Sequence, residues 1–259
     1  MLYSKFSLLK QLVKRDVLSR YKGSSLGMIW SVVIPILMLA VYTFVFSVVF
    51  EARWNVESNN HLQFALIIFS GITIFNFFSE VITRSPSLIV GNSNYVKKVV
   101  FPLELLPVSA VLSAFVHLII SFFILFIGII AFGDGLKWTA IYLPLVLLPI
   151  VLFSLGLSWF LSSIGTFIRD ISYLVNVFTS ALMFLSPIFY PITSVPVNLR
   201  FIYNLNPVSS TVEDMRNILI WGTTPDFYWL LKGSLIGLVI SVLGYYWFKK
   251  TRGGFADVI

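Results

Sequence analysis

FIRDISYLVNVFTSALMFLSPIFYPITSVPVNLRFIYNLNP, residues 167–207, is the stretch whose reading decides the fold. The pair Arg169 and Asp170 opens an uncharged run from Ile171 to Tyr190, and the run closes on Ser186-Pro187 and Tyr190-Pro191. A helix that starts at a polar surface therefore breaks before it has left bilayer depth. Proline has no N–H and disrupts the carbonyl partners one turn earlier, so groups around Met183 to Pro187 are freed. An unpaired backbone group in hydrocarbon costs several kcal/mol, so such a break survives only inside a bundle or beside an aqueous path. Two readings stay open. Either water reaches the break along a transport route, or the kink packs against another span and neighbouring hydroxyls such as Ser186 and Thr193 satisfy it.

Outward from this stretch the chain is equally apolar. Of 259 residues 58% are hydrophobic, 17% aromatic and 11% charged, a balance that leaves too little polar surface for a water-soluble domain of this length. Uncharged runs predict six spans, at 28–50, 62–82, 103–132, 139–168, 171–190 and 227–248, with Lys232 snorkelling out of the last. They are spread from end to end, so the chain reads as one domain over 1–259. Residues 5–22 place Phe6, Leu8, Leu9, Leu12, Val13 and Val17 on one helical arc and Lys10, Lys14, Arg15 and Lys22 on the other, the pattern of a helix lying in the headgroup layer. Asp16 and Arg20 sit on the apolar side four residues apart, a spacing that predicts mutual neutralisation. No cleavable signal peptide is expected, because the first apolar run follows a basic segment and lacks a small-residue cleavage site.

Basic residues set the orientation. Thirteen Lys and Arg fall on one side of a six-span layout, among them Arg84, Lys97, Lys98, Arg169 and the tail residues, against five on the other: Arg53, Lys137, Arg200, Arg216 and Lys232. The positive-inside rule then predicts cytoplasmic termini, with 51–61, 133–138 and 191–225 outside. In the last of these, Val212, Met215, Ile218 and Leu219 repeat at helical spacing before Gly222, which predicts a short helix lying at the outer surface. On the cytoplasmic side, Ser85-Pro86 reads as a helix start and Gly91-Asn92 as a stop, so 85–94 is either a compact structured feature or an ordinary inter-helical loop.

Several chemistries have no residues to carry them. The sequence contains no GxxxxGK[ST] phosphate loop and no cysteine, and its two histidines, His61 and His117, have no paired-carboxylate companions in sequence. Neither catalysis nor a metal site is expected, and the net charge of +7 flanks apolar spans rather than forming a face for nucleic acid. An ion-coupled carrier would place ionisable groups in mid-span, where His117 stands alone; a hydrogen bond to a neighbouring helix is its expected role, and Glu80 is expected to pair with Arg84.

Five segments carry a family resemblance. RDVLSRYKGSSLGMIWSVVIPILMLAVYTFVFSVVF (15–50), VVFPLELLPVSAVLS (99–113), FIRDI (167–171), SPIFYPITSVP (186–196) and NLNPVSSTVEDMRNILIWG (204–222) together resemble the membrane subunit of ABC-2 type polysaccharide exporters, which export O-antigen, capsule or teichoic acid chains. The one departure is Ile168, where the family often carries an aromatic. The resemblance implies an all-α membrane protein with six transmembrane helices, an N-terminal interfacial amphipathic helix and short extracytoplasmic gate helices in 191–225. It implies a pore made with a second copy of the chain in the bacterial inner membrane, and two copies of a separate ATP-binding subunit that holds ATP and Mg, with no cofactor in this chain.

It also implies roles for residues. Segment 85–94 resembles the coupling helix that meets the ATPase, with Ser87, Leu88, Gly91, Asn92 and Asn94 as contact residues. Asp16, Arg20 and Tyr21 fall in the interfacial gate helix, and Arg169 and Asp170 in a cytoplasmic loop. Tyr42, Phe46, Tyr190 and Trp221 are the expected aromatic lining of the path of a polysaccharide, lipid-linked or processively elongated, because rings stack on sugar C–H faces with little demand for orientation, and Met183, Ser186 and Pro187 join them as the break where freed backbone can meet a polar route. A drug or lipid permease of the same superfamily, and a stand-alone carrier, are the alternatives. A glycosyltransferase would need an acidic pair of DxD type, which the sequence lacks.

Overall fold

Pairing every backbone group within one segment is the cheapest way to cross hydrocarbon, and the chain is helical accordingly, with no strand among the described residues. The computed structural model describes residues 2–45, 61–97 and 101–259. Helix α1 (Leu2–Ser19) precedes α2 (Trp30–Tyr42), α3 (His61–Arg84), the short α4 (Ser93–Val96), α5 (Leu105–Phe132), α6 (Leu143–Phe167) and α7 (Ile171–Phe184). Two short helices, α8 (Arg200–Leu205) and α9 (Pro207–Arg216), lead to α10 (Phe227–Thr251) and the terminal turn α11 (Phe255–Val258).

Among the described residues five stretches are long and apolar enough to cross a membrane: Gly27–Val45, Leu62–Ser87, Leu105–Phe132, Trp138–Phe167 and Phe227–Val258. The expected fifth span of 20 residues is instead the 14-residue α7. At 1.5 Å per residue it covers about 21 Å, short of a hydrocarbon core of about 30 Å. It ends at Phe184, just before the prolines that the sequence marks as a break. The far end of the first expected span, the segment 51–60 and Phe46 lie outside the described residues.

The core is organised on α3. Its apolar window is 83% buried inside the chain, against 6% for the stretch that contains α2. Around it pack α5, α6, α7 and α9, with Ile67, Ile68, Ile74, Phe78, Leu125, Ile150, Val212 and Leu219 closing one continuous cluster. Alongside, α6 and α10 run in near-contact because glycines face each other. A Cβ on Gly244 would stand 2.1 Å from the Gly156 carbonyl oxygen, and one on Gly156 would stand 2.5 Å from that of Ile240. Small residues that let backbones approach are what holds helices together where lipid removes the hydrophobic contrast.

A second, smaller cluster joins α1 to the ends of α5 and α10 through Leu12, Ile89, Leu103, Leu106, Phe248 and Phe255. The apolar arc of α1 thus rests partly on protein: Leu12 and Val17 are buried, while Phe6 points outward. The expected surface helix in 204–222 is not at the surface. Val208, Val212, Met215, Ile218 and Leu219 are fully buried, and α9 is wedged between α3 and α6. An amphipathic period fits a helix lying on lipid and one driven into a bundle equally well; the second is possible here because Arg216 finds carbonyl partners inside the protein and Asp214 accepts from Asp226 N–H.

Candidate functional site

Three polar constellations are built into this apolar scaffold. The first lies where α1 crosses α3 and α5. Glu80 and Arg84, one turn apart on α3, lie 3.8 Å from each other as their spacing predicts, and α1 presents the complementary charges in register. Arg84 Nη2 donates to Asp16 Oδ1 at 2.6 Å and Arg20 Nη2 donates to Glu80 Oε1 at 2.5 Å. His117 on α5 completes the group, its Nδ1 3.1 Å from Glu80 Oε2 and 3.2 Å from Arg20 Nη1, with the Tyr21 hydroxyl 3.5 Å from Nε2. Nδ1 serves one partner at a time, donating to the carboxylate or accepting from the guanidinium.

The expected Asp16–Arg20 pair is therefore corrected: each charge bridges to another helix. Two interhelical pairs replace one intrahelical pair because α3 offers an opposite charge to each member. Burial pushes the Asp16 carboxyl up, but the Arg84 hydrogen bond and charge outweigh it and hold the group below its usual range. The expected role of His117, a hydrogen bond between helices, is what the geometry shows.

The second constellation is the expected coupling segment, which forms two 3-10 turns, Ser85–Ser87 and Val90–Asn92, followed by α4. Ser85 Oγ donates back to Val81 O at 2.6 Å and shares a hydrogen bond with Ser158 Oγ on α6 at 2.8 Å. Gly165 on α6 lets Pro86 approach so closely that a Cβ would stand 2.2 Å from the Pro86 carbonyl oxygen. Arg15 reaches from α1 to Tyr95 Oη at 2.5 Å and Asn92 Oδ1 at 3.1 Å. Of the five residues expected here, Ser87, Gly91 and Asn94 are exposed, Asn92 is half-buried and holds Arg15, and Leu88 is turned inward. Arg169 and Asp170 are exposed at the turn between α6 and α7.

The third is the break after α7. Ser186, Pro187 and Ile188 are buried, and their partners are protein groups. Ser186 Oγ donates to Leu182 O at 2.7 Å, and Asn206 Nδ2 donates to Ser186 Oγ at 2.9 Å and to Leu185 O at 3.3 Å. The Tyr190 hydroxyl donates to Phe184 O and meets Tyr203 Oη at 2.7 Å. The central partner is Arg216 of α9, whose side chain is 0% exposed. Its Nη1 donates to Pro187 O at 2.5 Å, its Nη2 to Ile188 O at 2.8 Å and its Nε to Ile67 O on α3 at 3.3 Å.

Glu213, one turn back, supplies a carboxylate 3.6 Å from Nη1. Gly71 makes the room, since a Cβ there would stand 2.9 Å from Arg216 Nη2. Within this chain the freed carbonyls of the break meet protein donors, with a guanidinium fork in place of Thr193 as the main one.

The other residues expected on the path are dispersed around this break. Tyr42 is half-buried with its ring 6.4 Å from that of Phe189, Met183 and Tyr190 are half-buried, and Trp221 is exposed at the end of the π turn that follows α9. Sequence reasoning counted Arg216 as a loop cation. Its signal was present in two parts: a pair of prolines that must free carbonyls, and an arginine on an otherwise apolar helical face.

Comparison with known proteins agrees with this architecture. The chain is 27% identical over 256 residues to an O-antigen export system permease protein RfbA of Klebsiella pneumoniae, covering 98% of this chain and 95% of that protein. A second such protein of Klebsiella pneumoniae is 25% identical over the same coverage. One of Myxococcus xanthus is 27% identical over 260 residues, 100% of this chain and 97% of that protein. Residues 7–220, which include most of α1, the ion network, the segment 85–94 and the Arg216 fork, match the family described as ABC-2 type transporter. The chain is a member of the ABC-2 type transporter family.

Proposed function

We propose that this chain is the membrane pore subunit of an ATP-driven exporter that moves a lipid-linked or processively elongated polysaccharide, of O-antigen type, from the cytoplasm across the bacterial inner membrane. The observation that carries the reading is end-to-end similarity to O-antigen export permeases, over 98–100% of the chain, in a protein with five helices of membrane-spanning length among its described residues. Hydrolysis belongs to a separate ATP-binding subunit, in two copies, which also holds ATP and Mg. It docks on the exposed Ser87, Gly91 and Asn94 of a cytoplasmic segment braced by α1 and α6. Both termini are cytoplasmic, and the sixth crossing is α7 together with the segment after its break.

A second copy of the chain completes the pore. The outward faces of α2 and α7, among them Ile34, Leu37, Tyr173, Val177 and Phe184, are apolar and uncovered, which supports this assembly. The glycan passes along the side of the break, with Tyr42, Phe46, Met183, Tyr190 and Trp221 as lining and the buried Ser186 and Pro187 as the wall behind them. Complementation tests the whole reading. A strain lacking this permease and carrying the wild-type chain together with its ATPase regains surface O-antigen, seen as a ladder on lipopolysaccharide gels. Full-length glycan remaining in the cytoplasm of the complemented strain would refute export by this chain.

A further inference from the structure

Helices α6 and α10 run parallel and touch along one line, at steps of seven residues. A Cβ on Gly237 would stand 2.9 Å from Pro149 O, Gly244 faces Gly156, and Ser163 Oγ meets Thr251 Oγ1 at 2.7 Å. Backbones that approach on glycines leave few side chains to fill the furrow beside the line of contact. On one side the furrow is closed, where Ser241 and Phe248 are buried and Trp159 lies against Tyr245 with ring centroids 5.1 Å apart. On the other it stays open as an apolar groove of about 310 Å³. Gly156 and Gly244 form its floor, Leu157 and Phe160 one wall, and Ile240, Leu243 and Trp247 the other, with Tyr246 at the rim.

The groove lies within two stretches of membrane-spanning length, Trp138–Phe167 and Phe227–Val258, so hydrocarbon surrounds it. Water does not fill such a cleft: an apolar cavity of roughly 150 Å³ stays dry and takes a benzene instead. Left empty, the groove would forfeit the dispersion contacts of the atoms that line it. Its wall on α10 runs from Ile240 to Trp247, about 10 Å at 1.5 Å per residue, so a stretch of flexible hydrocarbon chain fits it.

Charge selects the lipid. At 3.6 residues per turn Ile240, Leu243 and Trp247 share one stripe of α10, and the next residue on that stripe is Lys250, while Lys249 points about 100° away from it. Both lysines are exposed, and among the described residues neither makes a hydrogen bond or an ion pair, whereas Arg252 is held by Glu104 at 3.1 Å. Lys250 stands one turn beyond Trp247, about 5 Å along the helix, where an indole and a phenol mark the headgroup level. A second copy of the chain suits the groove poorly, because a two-fold axis along the membrane normal would bring Lys250 towards its own equivalent.

We propose that the groove between α6 and α10 seats one acyl chain of an anionic phospholipid whose phosphate rests on Lys250. The inference stands apart from the export reading, since it needs only that the two helices lie in a bilayer. A chain lodged there packs on both helices at once and steadies the pair.

The test uses the purified full chain in neutral detergent micelles, titrated with dioleoyl phosphatidylglycerol or dioleoyl phosphatidylcholine and read by native mass spectrometry. The wild-type chain retains one phosphatidylglycerol in preference to phosphatidylcholine. Lys250→Gln weakens the anionic lipid about fivefold, the worth of one lysine beside an anionic headgroup, and brings it level with the neutral one. Lys249→Gln removes the same charge from another side of the helix and leaves the preference in place. Leu243→Trp fills the groove from an exposed wall position and weakens both lipids, and all three variants keep the thermal midpoint that the wild type has without lipid. Phosphatidylglycerol brominated along its acyl chains quenches the tryptophan fluorescence of the wild type more than that of Trp247→Phe. Equal retention of the two lipids, equal losses from Lys249→Gln and Lys250→Gln, unchanged binding in Leu243→Trp, or equal quenching in Trp247→Phe overturns the inference. Displacement by glycerol 3-phosphate would reduce the site to a headgroup contact, and displacement by equimolar polyprenyl phosphate would give it to another lipid. A changed oligomeric state in Leu243→Trp would make it a protein interface, and each of these three results also refutes the proposal.

Discussion

Replacing Arg216 by methionine tests whether protein, rather than water, holds the break after α7. The guanidinium donates to three carbonyls, and the loss differs among them. Ile67 O lies within α3 and keeps its place in the helical ladder, so it forfeits little. Pro187 O and Ile188 O lie beyond the end of α7, where no ladder continues. Each buried carbonyl left without a partner costs about 1–3 kcal/mol, so about 2–6 kcal/mol is expected, and methionine recovers part of it by filling the space.

That is a large share of a stability that is normally about 5–15 kcal/mol. Arg216→Lys can place one point donor where a fork stood and reaches one of the two orphan carbonyls, so it falls near half the methionine loss. Gly71→Ala pushes a methyl to within 2.9 Å of Nη2 and gives a smaller loss through the same contact.

Two measurements check this. Unfolding of the detergent-solubilised chain in a denaturing-detergent titration gives the stability order wild type, Gly71→Ala, Arg216→Lys, Arg216→Met. A cysteine at Ser186, in a chain that has none of its own, is protected in the wild type and labelled once Arg216 is methionine. If Arg216→Met stays within about 0.5 kcal/mol of wild type and Ser186→Cys is equally labelled in both, the fork does not hold the break.

Three further outcomes follow from the other constellations. Arg20→Glu opposite Glu80 destabilises the packing of α1, and adding Glu80→Arg restores it by about 1–2 kcal/mol, whereas adding Asp16→Arg does not; an additive double-mutant cycle for residues 20 and 80 would contradict the interhelical pairing. Cysteines at Ser87 and Asn94, both exposed, crosslink to the ATPase subunit and one at the inward-turned Leu88 does not; capture only from 51–61 would mean that the orientation is inverted. The Asp214 carboxyl titrates at about 6 when folded, against 3.8 for the free group, so its stabilisation is full below pH 3.8 and disappears as pH rises through 6. The change is on the order of 3 kcal/mol, and Asp214→Asn removes this slope from the stability profile; an unchanged slope would exclude Asp214 as its source.

Features that depend on one segment at a time were legible in the sequence. Uncharged runs mark helices because hydrocarbon leaves no other way to pair a backbone, and the prolines mark the end of α7 because they remove the partners of the turn before them. The Glu80–Arg84 pair and the bridging of His117 followed from spacing and from the scarcity of polar groups in mid-span. What was not legible depends on which helices meet. Asp16 and Arg20 satisfy the helical spacing rule whether or not they pair, and only the antiparallel register of Glu80 and Arg84 diverts them. The depth of α9 was hidden for a similar reason. Its apolar period is the same on a membrane surface and inside a bundle, and the group that decides between them, Arg216, has main-chain partners that no residue type announces.

The placement of these charges gives α3 its particular role. Near one end its Glu80 and Arg84 hold α1, and its last turn runs into Ser85, which is bonded to Ser158 of α6. Thirteen residues before Glu80, Ile67 O accepts from Arg216, whose remaining donors hold the break after α7. Between the two anchor points the packing of α3 is mostly apolar, with Ser70 bonded within the helix to Ile67 O, and such packing resists compression but opposes small sliding weakly. A displacement of the segment 85–96 has two ways to be absorbed. It can tear Ser85 from Ser158 and open the ion pairs to α1, each of which costs on the order of 1 kcal/mol, or it can carry α3 along its axis as one rod. In the second case Ile67 moves relative to α9, and the Arg216 fork must follow it or release the carbonyls of Pro187 and Ile188. The buried arginine is thus more than a repair of a proline break: it makes the geometry of that break depend on the position of α3.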